Sequence, residues 1–242
     1  MARVLCVTTT LTTHQRAFRS TVVKKFTMAV TGLIMIGFLL MHMYGNLKAF
    51  IGAEAFDHYA GWLKGATDDG GILYPIMPAG TFIWVFRFVL VLAVILHFWS
   101  AVTLWSTSNK AAGRSYERKK TMARTYSART MRWGGLIVAA FLIFHLLHFT
   151  ITPSAFHPDP SSAYAMIVNS FSKPWMVAIY AICMVLVCMH IRHGFWSAFA
   201  TLGLNMSSRS RAILNGLAYF VAVVLYVGFM VMPLAVLFGW IG

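Results

Sequence analysis

Residues 31–50 read TGLIMIGFLLMHMYGNLKAF. Apart from Lys48 near its end the run carries no charge, and the apolar character extends back to Thr27. A stretch of about 20 such residues crosses the hydrocarbon core of a bilayer as a helix. In lipid the alternatives are few, because every backbone N–H and C=O must be satisfied within the segment or in a closed barrel. One ionisable side chain sits deep in this run, His42, and a polar group held in hydrocarbon usually marks a functional site.

Working outward, four more runs have the same character, so that the set is 27–50, 80–107, 131–152, 174–198 and 213–241. Three of them carry a comparably placed histidine: His97, His145 and His190. With 59% hydrophobic and 11% charged residues and a mean hydropathy of +0.72, the chain is outside the range of soluble globular domains. The expected fold is therefore an all-α integral membrane protein of five transmembrane helices in a bundle, preceded by an N-terminal segment, 1–26. That segment lacks the apolar core of a cleavable leader. Pro233 is expected to kink the last span near an interface.

The net charge of +14 is distributed by topology and does not form a nucleic-acid footprint. Arg16, Arg19, Lys24 and Lys25 precede the first span. Lys110, Arg114, Arg118, Lys119, Lys120, Arg124, Arg129 and Arg132 lie between the second and third, and Arg209 and Arg211 before the fifth. The opposite loops hold Glu54, Asp57, Asp68, Asp69 and Asp159. By the positive-inside rule the N-terminus is cytoplasmic and the C-terminus outside. The basic face suits anionic lipid, and it also suits a docked soluble partner. Cys6, Cys183 and Cys188 offer no disulfide framework.

The histidines fall into two layers when depth is counted at about 1.5 Å per residue along alternating helices. His42 and His145 then lie about 22 and 21 Å from the cytoplasmic face. His97 and His190 lie about 25 and 24 Å below the outer face. Two pairs result, His42 with His145 near the outside and His97 with His190 near the inside, roughly 15 Å apart. Paired imidazoles at two depths point to bis-histidine ligation of two hemes, because packing histidines have no reason to match in depth. His148, one turn beyond His145, is the rival ligand in the third span, but it lies nearer the interface. Gly45, Ser100, Ala101 and Gly194 follow the histidines by three or four residues, where small side chains admit a flat ring or another helix.

The segments that carry these histidines are TGLIMIGFLLMHMYGNLKAF at 31–50, ILHFWSAVTLW at 95–105, FLIFHLLHFT at 141–150 and MHIRHGFWSAFATLGL at 189–204. In content and order they resemble the diheme, single-subunit cytochrome b membrane anchors of bacterial succinate dehydrogenases and fumarate reductases. The resemblance implies that His42 and His145 ligate the outer of two hemes b, and His97 and His190 the inner one. It implies a flavoprotein subunit and an iron–sulfur subunit on the cytoplasmic face, electron delivery to a quinone, menaquinone in most such anchors, and residence in the bacterial cytoplasmic membrane. It also implies that the direction of turnover depends on the membrane potential. The succinate chemistry would belong to another chain, since no flavin or iron–sulfur motif occurs here.

Arg87, one to two turns inside the second span, is expected to meet a heme propionate or to snorkel to the interface. Lys48 and Lys173 are further candidates for the outer propionates, and Arg132, Arg192 and His193 for the inner ones. Some relatives carry an acidic residue two positions before the fourth ligand; this chain has Cys188 there. Quinone protonation is therefore expected to use the outer loop, where Glu54, Asp57 and His58 cluster. Two other readings remain open at this point: a cytochrome b subunit of a formate dehydrogenase or hydrogenase, and a heme-free anchor whose histidines pack helices or relay protons.

Overall fold

The computed structural model describes residues 20–112 and 126–242. Cys6, His14, Arg16 and Arg19, and the loop residues Arg114, Arg118, Lys119, Lys120 and Arg124, lie outside the described residues. Among the described residues there are seven α-helices and no strand: α1 Thr21–Leu47, α2 Ala53–Lys64, α3 Thr81–Ala112, α4 Tyr126–Leu146, α5 Ala163–Phe171, α6 Pro174–Thr201 and α7 Ser208–Leu237. Five of them, α1, α3, α4, α6 and α7, are long and apolar enough to cross a membrane.

Local chemistry sets the ends of these helices. Ser20 caps α1, its hydroxyl accepting from the Val22 N–H at 3.2 Å, so the helix begins six residues before the apolar run itself. Pro174 occupies the first turn of α6, where its missing N–H costs nothing. Ser207 and Ser210 close a reciprocal capping box on α7. That helix continues through Pro233 to Leu237. α4 widens into a π turn over Leu147–Ile151, where the Thr152 N–H reaches back to the Leu147 carbonyl at 3.2 Å.

α1 and α6 form the centre of the bundle. α1 packs on α3, α6 and α7, and α6 packs on α4 and α7. α6 and α7 carry much of the buried apolar core, including Met184, Val187, Leu225 and Met232. By contrast, only 6% of the apolar window is buried in α3 and in α4, against 39% in α6 and in α7. α3 and α4 thus expose most of their apolar surface, as helices at the edge of a membrane bundle do.

The two loops at the other end from the chain's basic clusters are structured. α2 ends on Gly65 in the left-handed conformation (φ 69°), as helix stops commonly do. α5 is tied to α2 by Asp57. One carboxylate oxygen accepts from the Ser162 hydroxyl at 2.6 Å and the other from the Tyr164 N–H at 2.9 Å. Asp57 thus serves as a remote cap for α5, while Glu54 and His58 stay on its own helix. Asp57→Ala should lower stability by about 2 kcal/mol, since two part-buried, charge-assisted bonds are lost. A thermal melt of the purified protein tests this; an unchanged melt would mean that α5 is held by its apolar face alone.

Candidate functional site

Each of the four histidines is brought against its expected mate. The rings of His42 on α1 and His145 on α4 have centroids 5.8 Å apart, at 79° to one another. Those of His97 on α3 and His190 on α6 are 6.3 Å apart, at 63°. α1 with α4, and α3 with α6, are not among the closely packed helix pairs of the described residues. The histidines therefore bridge across diagonals of the bundle. All four remain partly accessible.

The two layers can be measured along the chain. On α1, Gly32 lies against the His97 ring and His42 meets His145 ten residues later. On α4, Gly135 lies against the His190 ring and His145 follows after ten. On α6, Tyr180 meets His145 and His190 follows after ten. Three helices thus report the same interval, about 15 Å at 1.5 Å per residue.

Hydrogen bonds orient two of the rings, those of His97 and His145. His97 Nδ1 is 3.1 Å from the Met28 carbonyl and 3.2 Å from the Thr31 hydroxyl, which itself donates to the Thr27 carbonyl at 2.7 Å. A carbonyl only accepts, so His97 carries its proton on Nδ1 and leaves a lone pair on Nε2. His145 Nδ1 lies 3.3 Å from the Tyr180 hydroxyl. His190 Nδ1 is buried against Gly135 with no hydrogen-bond partner, and Ser100 Oγ, one turn after His97, is buried without one too. Aromatic rings close the His42–His145 layer: Phe38 and Phe229 lie beside His42, Phe141 and Phe149 beside His145.

Among the described residues no group of three or more His, Cys, Asp and Glu side chains gathers as a metal centre. Two imidazoles alone suit an iron whose other donors come from a macrocycle. An iron bonded to one nitrogen of each ring, at about 2 Å, holds the two ring centroids about 6 Å apart. Both pairs have that separation, so the residues present fit two such groups.

His148 is placed differently. It is 1% exposed, its Nδ1 is 3.0 Å from the Tyr180 hydroxyl, and its Nε2 is 3.3 Å from the Ser170 hydroxyl. Its carbonyl accepts from His157 Nε2 at 3.0 Å. Burial pushes the His157 imidazole below the ordinary value of 6.5, with Lys173 adding to the effect, although hydrogen bonds to His148 and Asn169 oppose it. A folded pKa below the unfolded one binds fewer protons in the folded state. Stability is therefore full above about pH 6.5 and is lost as the pH falls through that value toward the folded pKa. Melts at pH 8 and pH 5 should differ less in His157→Gln than in the parent; an equal difference would remove His157 as the cause.

The basic candidates are engaged with protein. Arg87 stacks on Trp84 at 4.9 Å, Lys48 lies over Tyr44 and Tyr59 at 5.2 and 4.9 Å, and Lys173 donates to Asn169 at 3.2 Å. Arg132 reaches Ser108 at 3.4 Å, and Arg192 donates to Asn215 at 3.3 Å and covers Tyr219 at 4.2 Å. Gly45 departs from its expectation. The space a side chain there would take is filled by Tyr59, 3.1 Å from the position of a Cβ, so this glycine admits α2 and not a flat ring. Gly194 has open space instead. The glycines that face histidine rings are Gly32 and Gly135, each with a ring carbon 3.4 Å from where a Cβ would stand. A valine at either position should displace its ring. Gly32→Val and Gly135→Val are expected to weaken cofactor retention by about 10-fold, as loss of an orienting neighbour does. Retention at the parental level would show that the rings have slack.

One curated protein aligns with this chain almost end to end. The chain is similar to the succinate dehydrogenase cytochrome b558 subunit of Bacillus subtilis (strain 168). The two are 25% identical over 215 residues, which cover 88% of this chain and 94% of that subunit. No family model and no solved structure matches the chain. That relative is by name a cytochrome b subunit of succinate dehydrogenase. With five helices long and apolar enough to cross a membrane, the chain is a multi-pass membrane protein.

Proposed function

We propose that this chain is the membrane-anchor cytochrome b subunit of a succinate:quinone oxidoreductase, with one heme b between His42 and His145 and a second between His97 and His190. The observation that carries the proposal is the pairing of four mid-span histidines into two ring pairs at 5.8 and 6.3 Å. Similarity to a cytochrome b558 subunit supports it independently. When bound, the two hemes supply reversible one-electron reduction at two depths in the membrane.

The chain's own residues supply the rest. His42, His97, His145 and His190 hold each group from two helices, and the Met28 carbonyl fixes His97 with its Nε2 free. Aromatic side chains beside His42 and His145 give that layer an apolar lining. Arg87, stacked on Trp84, has a guanidinium free to meet a propionate along its remaining edges. The end of the bundle reached by Arg209 and Arg211 faces the cytoplasm, where a flavoprotein and an iron–sulfur subunit dock on basic residues. The α2/α5 end faces outward and delivers electrons to a quinone, menaquinone in this reading. Glu54 and His58 on α2 are candidates to hold or pass a proton there, with Asp57 occupied as a cap.

The test is a dithionite-reduced minus oxidised spectrum of the purified complex with a pyridine hemochrome count. Two hemes b per chain are expected; none would leave a heme-free anchor. Co-purification of a subunit with covalently bound flavin separates this reading from a formate dehydrogenase or hydrogenase cytochrome.

A further inference from the structure

Behind His145 runs a series of hydrogen bonds that ends on a backbone carbonyl. His145 Nδ1 lies 3.3 Å from Tyr180 Oη, and Tyr180 Oη lies 3.0 Å from His148 Nδ1. His148 Nε2 lies 3.3 Å from Ser170 Oγ, which donates to the Met166 carbonyl at 2.8 Å. Tyr180, His148 and Ser170 are 6, 1 and 1% exposed, so water does not compete for these groups.

Only one order of donors uses all four contacts. The Met166 carbonyl can only accept, so the single Ser170 hydrogen points to it. Ser170 Oγ then accepts from His148 Nε2–H. A buried imidazole with no carboxylate beside it stays neutral, so His148 Nδ1 is an acceptor and takes the Tyr180 hydrogen. The Tyr180 oxygen is left to accept from His145 Nδ1–H. The opposite order would leave the 2.8 Å contact to Met166 without a hydrogen. The series thus sets His145 with its proton on Nδ1 and a lone pair on Nε2, the form in which an imidazole ligates a metal.

We infer that Tyr180 is the positioning residue of His145, held in its role by His148 and Ser170, and that it sets the redox potential of the heme in that layer alone. The inference rests on the reading of His42 and His145 as a heme-ligand pair. The other layer is held by different groups: His97 Nδ1 lies 3.1 Å from the Met28 carbonyl and 3.2 Å from the Thr31 hydroxyl, neither of which belongs to the Tyr180 series. Hydrogen bonding from Nδ1–H raises the basicity of a ligating histidine and so favours ferric iron. Without the Tyr180 oxygen that preference falls.

The experiment is a potentiometric heme titration of the intact, purified complex carrying Tyr180→Phe, compared with the parent. A second pair of titrations in a His97→Ala background leaves only the His42–His145 heme to be read. The expected result is two hemes per chain and one midpoint potential raised by at least about 59 mV, a tenfold change in relative ferric and ferrous stabilisation, with the other unmoved. The raised potential should be the one that survives in the His97→Ala background. Loss of that heme alone supports the inference as a larger form of the same effect. Two unmoved potentials, or two that move together, overturn it and leave Tyr180 a packing residue. If Tyr180→Phe yields no complex, Ser170→Ala decides: a shift confined to the same heme supports the inference, and none overturns it. Failure of the underlying reading is seen separately, as fewer than two hemes in the parent.

Discussion

Replacing any one of His42, His97, His145 and His190 with Ala should remove one heme b from the complex and leave the other in place. The expectation follows from the separation of the layers, about 15 Å along each of three helices, with no histidine of one pair touching the other pair. On the proposed reading each imidazole would supply one of two protein bonds to its iron, and losing it would release that group. Activity should fall at least 100-fold for each variant, more than the loss of an orienting neighbour costs. The pattern of pairs is the sharper test. His42→Ala combined with His145→Ala should cost one heme, as either does alone, whereas His42→Ala combined with His97→Ala should cost both. A pyridine hemochrome count reads this directly. Retention of two hemes in any single variant, or loss of the same heme from His42→Ala and His97→Ala, would sink the pairing.

His148→Leu should behave in the opposite way, keeping both hemes while losing stability. His148 is fully buried, and both of its ring nitrogens are bonded within the protein. Leu fills much of the same volume but leaves the Tyr180 hydroxyl and the Ser170 oxygen short of a partner. A buried polar group left unpaired costs about 1–3 kcal/mol, so the pair together should cost about 2–6 kcal/mol. The melting temperature of the complex should fall accordingly, with a heme count still at two. If the count drops to one while the melt is unchanged, His148 and not His145 is the ligand of α4.

How much of this was legible in the sequence depends on which coordinate is asked for. Depth along a helix needs only a rise per residue and an alternating topology, so the matching of His42 with His145 and of His97 with His190 was open to counting. Azimuth around a helix was not. α3 and α6 are apolar on every side, so nothing in their sequence marks the face turned to a neighbour. Tyr180 on α6 therefore gave no signal, and neither did Gly32 and Gly135, which meet rings carried by α3 and α6, although each of the three lies ten residues before a histidine that did. Gly45 shows the same limit in reverse: its spacing from His42 suggested room for a ring, and α2 took the room. α2 and α5 lay in segments read as loops. The cues were present in Gly65 as a helix stop and Ser162 as a helix start, but the bond from Asp57 to α5 spans 105 residues and is visible only in the fold.

The shared interval of ten residues on α1, α4 and α6 has an evolutionary corollary. A residue inserted between Gly32 and His42 would turn everything beyond it by about 100° and advance it by about 1.5 Å, swinging one imidazole away while its counterpart on another helix stayed put. Repair would need simultaneous insertions in two further helices. Between these marks the chain behaves as a gauge block, free to change its letters and forbidden to change its length. Drift in length is confined to the connections outside the two layers.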